Sequence, residues 1–99
     1  MQDAYIVSAL RTPIGKKKGS LSSMHPADLG AAILSATFDR VDLDPGLVED
    51  VIFGCVDTVG PQAGDIARTG WLAAGLPEHV PGPPVGRPCG SSQQAVPVA

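Results

Sequence analysis

His25–Val56 reads HPADLGAAILSATFDRVDLDPGLVEDVIFGCV, and the order of its parts decides the architecture. Pro26 suits the first helical position, where its missing N–H costs nothing. His25, just ahead of it, helps to start the helix. Asp28 falls in the first turn, where a negative charge complements the helix dipole. Leu29, Ile33, Leu34, Phe38 and Val41 recur at helical spacing and form one apolar stripe. Asp44-Pro45-Gly46 is a turn. Val51-Ile52-Phe53 then forms the apolar centre of a strand.

The flanks extend the same alternation. Ala4–Leu10 (AYIVSAL) is a nearly continuous apolar run, which suits a strand covered on both faces of a parallel sheet. RTPIGKKKGSLSS after it is a loop, its period broken by Pro13, Gly15, Gly19 and serines. DTVGPQAG after the second strand is another loop. Asp65 caps a predicted helix from Ile66 to Ala74, with Gly75 at the C-terminal cap position and Pro77 just beyond. VPGPPVGRPCGSSQQAV is extended and proline-loaded and turns into a helix at GSSQQ. The predicted order is β-α-β-α-β-(α), an α/β arrangement with a parallel sheet and right-handed crossovers.

Composition narrows the function. The chain has 99 residues, at most one domain. Its 7 Lys+Arg against 10 Asp+Glu leave a net charge of −3, without the basic excess that a nucleic-acid backbone requires. An apolar fraction of 43% supports a folded core rather than disorder. No apolar run approaches the ~18 residues of a membrane span. The N-terminus has no basic leader, so the expected location is the cytoplasm. Two cysteines, Cys55 and Cys89, do not make a disulfide framework. With two histidines they show no metal-ligand spacing, so no metal site is expected.

Cys89 is the nucleophile candidate. It lies between an extended segment and a helix start, where the helix dipole and unpaired N–H groups lower a thiol pKa from ~8.5 into the range of about 3.5–7.5. A thiolate is the useful species for acyl transfer. The N–H groups around it can face an oxyanion, and Gly90 lets a carbonyl approach the backbone. The same position also suits a buried structural thiol, and physics alone leaves both readings open. Cys55 reads as a small residue at a strand end, and His79 as a surface residue of a polar turn. Lys16-Lys17-Lys18 reads as a solvated loop. Trp71 and Phe38 read as core.

RTPIG after the first strand, VIFGCV in the second, DIARTGWLAAGLP, and VPG followed by PCGSSQQAV stand in the order and spacing of the thiolases. The chain resembles the N-terminal part of that acetyl-CoA acyltransferase family over essentially its whole length. The resemblance implies the family's fold, two βαβαβ halves with an inserted loop domain. Residues 1–99 then form the opening of the first half, with the chain ending inside that domain. It implies Cys89 as the residue that carries the acyl group, its own backbone N–H contributing to an oxyanion hole. The implied reaction is thiolysis of a 3-oxoacyl-CoA by CoA, or the reverse condensation of two acyl-CoA molecules. Coenzyme A thioesters enter as substrates, with no bound cofactor and no assigned cofactor-binding residues. Full-length relatives are expected to be homo-oligomers.

Two histidines and a second cysteine that the family also uses belong to its second half, and neither His25 nor His79 stands at a matching position. The chain alone is therefore expected to be inactive. The alternative is a truncated, non-catalytic chain that acts only in dimerisation or protein interaction. The related β-ketoacyl synthases share the fold and the cysteine, but RTPIG and CGSSQQAV favour thiolase. The pattern departs at Pro83-Pro84 in place of a Thr pair, Gly86 in place of Asn or Asp, Pro88, and Pro97 where the family helix continues.

Overall fold

The computed structural model describes residues 3–57, 59–86 and 91–98. Among the described residues three helices and two short strands alternate: α1 (Pro26–Arg40), β1 (Phe53–Gly54), α2 (Ile66–Ala73), β2 (Pro84–Val85) and α3 (Ser91–Val98). Single 3-10 turns occupy Pro45–Leu47 and Gly60–Gln62. β1 and β2 pair in parallel, with Phe53 opposite Pro84 and Gly54 opposite Val85. The pairing extends beyond both strands: Val51 N–H donates to Pro81 O at 3.0 Å and Cys55 N–H to Val85 O at 2.9 Å. Both bonds run from the VIFGC segment into carbonyls of the proline-rich one. Proline keeps its carbonyl, so a ladder built in this direction tolerates residues that cannot donate.

The caps follow the sequence. Ala27 N–H donates to Nδ1 of His25 at 3.1 Å, so His25 caps α1. Arg68 N–H donates to Asp65 at the start of α2. The end of α2 closes through Gly75 at φ +73°. Gly75 N–H reaches Leu72 O and Leu76 N–H reaches Trp71 O, the paired bonds of a Schellman motif. A side chain at that φ costs about 1–2 kcal/mol. Gly75→Ala is expected to lower stability by about that amount, read as a lower urea midpoint with unchanged slope.

Val51, Ala67, Trp71 and Val80 form the buried centre, with Leu34, Phe38, Val48, Phe53 and Leu76 packed around it. Phe38 and Trp71 meet edge to face with centroids 5.7 Å apart. The indole N–H of Trp71 donates to Pro77 O at 2.6 Å. The Arg68 guanidinium donates to Val80 O and Glu78 O and ties the 77–80 turn to α2. α1 and α2 cross where Gly30 meets Gly70: a Cβ added to Gly70 would lie 3.5 Å from the Cα of Gly30. α3 continues through Pro97, whose ring nitrogen offers no bond to Gln93 O.

The α/β class holds, with one correction. Ala4–Leu10 forms no strand, and Tyr5, Ile6 and Val7 are 80%, 87% and 77% exposed. A parallel ladder needs a neighbour brought up by a crossover. Among the described residues the β1–β2 pair is the only ladder, and this apolar run has no strand beside it.

Candidate active site

β1 carries the site's frame. Its Gly54 stands opposite Val85, at the end of β2. The same Gly54 meets the first turn of α3. A Cβ built on it would lie 2.1 Å from Ser92 N, 2.2 Å from the carbonyl carbon of Ser91 and 2.4 Å from Ser91 O. Ser91 is buried there at 5% exposure. The chain therefore leaves β2 beside Gly54 and resumes as α3 beside the same residue. Cys89, the expected nucleophile, stands two positions before Ser91 in sequence and lies outside the described residues, as do Arg87, Pro88 and Gly90.

Gly54 also borders a cavity of about 490 Å³ between β1, α1 and the start of α2. That volume falls in the roughly 300–1,000 Å³ range of small-molecule pockets. Leu29, Ile33, Phe53 and Ile66 make its walls apolar, and Arg11, Gln62 and Cys55 supply the polar edge. Cys55 ends the β1 segment, half-buried, as its sequence position implies, and its S–H donates to Asp57 O at 3.3 Å.

The remaining candidates lie elsewhere. His25 is occupied as the α1 cap. His79 is exposed and its Nε2 bonds Gly46 O at 2.9 Å, joining two turns. Neither histidine lines the cavity. Lys16, Lys17 and Lys18 are exposed in a turn closed by Gly19 N–H to Lys16 O. Among the described residues no cluster of His, Cys, Asp or Glu could hold a metal ion, and no helix is long and apolar enough to cross a membrane. Sequence reasoning passed over Gly54. An isolated glycine inside a strand pattern is the signal for a close backbone approach, and FGC carried it.

A parallel strand pair with helices packed on it, and a helix that starts at the strand edge, define part of an α/β fold. Residues 4–99 match the family model described as thiolase, N-terminal domain, and the chain belongs to the thiolase family. It is 57% identical over 96 residues to the steroid 3-ketoacyl-CoA thiolase of Mycobacterium tuberculosis, covering 97% of this chain and 24% of that protein. It is 42% identical over 97 residues to a 3-ketoacyl-CoA thiolase of Bacillus subtilis, covering 97% and 25%. The crystal structure of the Bacillus anthracis acetyl-CoA acetyltransferase superposes with a TM-score of 0.79 at 33% identity, over 88% of this chain and 22% of that one. The chain thus spans about a quarter of the length of the curated relatives it matches.

Proposed function

We propose that this chain is the opening part of a thiolase's N-terminal domain and that Cys89 is the nucleophile transferring an acyl group between CoA thioesters. The carrying observation is the family match over residues 4–99, which includes the Cys89 segment that joins β2 to α3. In the thiolytic direction, the Cys89 thiolate attacks the 3-oxo carbon of a 3-oxoacyl-CoA. The bond between carbons 2 and 3 breaks, and its electron pair leaves with the acetyl-CoA fragment, which takes up a proton. The thiol of a second CoA, giving up its proton, then attacks the acyl carbon of the Cys89 thioester; the bond from that carbon to the Cys89 sulfur breaks, which releases the shortened acyl-CoA and restores the Cys89 thiolate. Condensation is the same path reversed. Free CoA and acyl-CoA are substrates, and no resident cofactor is needed.

This chain supplies the nucleophile and its helix. The acid–base groups and most of the substrate cradle belong to the remaining three quarters of a thiolase, whose full-length form we take to be a homo-oligomer working in the cytoplasm. A nucleophile without a positioned base loses most of its advantage. The chain alone is therefore inactive in this reading. A second reading, a non-catalytic chain that pairs with another protein, draws on the exposed Tyr5, Ile6 and Val7.

The test compares two proteins with acetoacetyl-CoA and CoA as substrates. The chain alone is expected to give no turnover. Fused in frame to the remaining three quarters of the Mycobacterium tuberculosis relative, it is expected to turn over substrate. Turnover by the chain alone would refute the predicted inactivity. A folded but inactive fusion, beside an active parent enzyme, would favour the non-catalytic reading.

A further inference from the structure

We infer that Gly54 is the positioning residue for the nucleophile: its bare Cα is the seat on which the first turn of α3 rests, and that seat sets where the chain delivers Cys89. The inference rests on the reading of Cys89 as the nucleophile given above.

The geometry singles out this glycine. At Gly54 all three nearest atoms to a would-be Cβ are main-chain atoms of Ser91 and Ser92, at 2.1–2.4 Å. Backbone in the first turn of a helix cannot swing aside as the end of a flexible side chain can. The contrast with Gly30 and Gly70 is clear, where the nearest atoms to an added Cβ lie at 3.3 and 3.5 Å. Non-bonded carbons sit at about 3.5–4.0 Å, so a methyl group on Gly54 would push the start of α3 away by about 1 Å or more. The same residue is in register with Val85 at the end of β2. Both ends of the short segment containing Cys89 are thus referenced to one residue of β1. A displacement of about 1 Å at a reacting group is enough to cost on the order of a hundredfold in rate. If the helix start activates Cys89, as its sequence position implies, the same shift would weaken that activation. Gly54 touches no reacting atom in this account and acts through α3.

The experiment measures the pH dependence of Cys89 alkylation by iodoacetamide in the 99-residue chain, with Cys55→Ser removing the second thiol. Cys55 Sγ donates to a backbone carbonyl, a bond that a serine hydroxyl can also make. The parent is expected to show an apparent thiol pKa well below the usual ~8.5. Gly54→Ala is expected to return it toward that value, slowing alkylation at pH 7 by about tenfold for each unit that the pKa rises above 7. Gly82→Ala is the comparator. Its Cβ would meet Val51 O at 2.7 Å, so it strains the same strand pair away from α3. It is expected to leave the thiol pKa unchanged. Far-UV circular dichroism matches the folded fraction of the two variants, by temperature if Gly54→Ala loses stability.

A raised pKa in Gly54→Ala alone, at matched helix content, supports the seat. A depressed parent pKa that Gly54→Ala leaves in place overturns the role of Gly54 while the nucleophile reading stands. An equal rise in both variants also overturns it, because loosening of the strand pair would then be the cause. An ordinary pKa already in the parent overturns the inference, while the nucleophile reading is decided separately by acyl transfer in the fusion.

Discussion

Cys89→Ala, made in the fusion of this chain to the rest of a thiolase, is expected to lower kcat by about a thousandfold or more. The residue is assigned the covalent step, and a group that forms the intermediate has no substitute when removed. Cys89→Ser separates nucleophilicity from shape. It keeps a side chain of similar size, but its hydroxyl is not ionised near neutral pH, so kcat is expected to fall nearly as far. Mass spectrometry of the fusion quenched with acetoacetyl-CoA should find the acyl group on the peptide containing Cys89. Neither variant should carry it. Cys55→Ser is the thiol control: it removes the second thiol and should still carry the acyl group on the Cys89 peptide. A Cys89→Ala fusion that keeps parental turnover would end the proposed chemistry.

The helices were legible because their signals are local. Pro26, Asp28 and the apolar stripe place α1 over Pro26–Arg40, and Asp65 and Gly75 bracket α2 as expected. His25 was read as a helix starter and supplies the capping nitrogen. Strands depend on partners that the sequence does not name. Val51–Phe53 found one in the 81–85 segment, whereas Ala4–Leu10, the more apolar run, has none among the described residues. The prolines at 81, 83 and 84 cannot donate to a ladder, yet their segment pairs with the 51–55 segment. The direction of the bonds from Val51 and Cys55 into Pro81 and Val85 carbonyls resolves that conflict. At the site, the cysteine was visible by its place before a helix start, and its role came from family resemblance. Gly54 was not visible in that way. Its meaning lies in a contact between residues nearly forty positions apart, which no periodicity reports.

Trp71→Ala is expected to remove most of the chain's stability, by about 3–5 kcal/mol. A domain of this size has only about 5–15 kcal/mol in total. Trp71 is 1% exposed and is the largest fully buried side chain of the core. It joins α2 to α1 through Phe38 and holds the Pro77 turn through its indole N–H. Trp71→Phe separates the two contributions. It preserves an aromatic ring beside Phe38 and gives up the bond to Pro77 O, worth about 1 kcal/mol, along with some volume. It should therefore fall between the parent and the alanine variant. Urea titrations followed by far-UV circular dichroism measure all three, since this is the sole tryptophan and its fluorescence disappears with it. An alanine variant with a parental midpoint would mean that the cluster around Trp71 does not hold the fold. The consequence reaches the site. Val51 packs in the same cluster, and β1 begins two residues after it, with Gly54 as its last residue. Losing Trp71 loosens the strand that seats α3, so Cys89 in this variant should alkylate with the pH profile of an unstructured thiol.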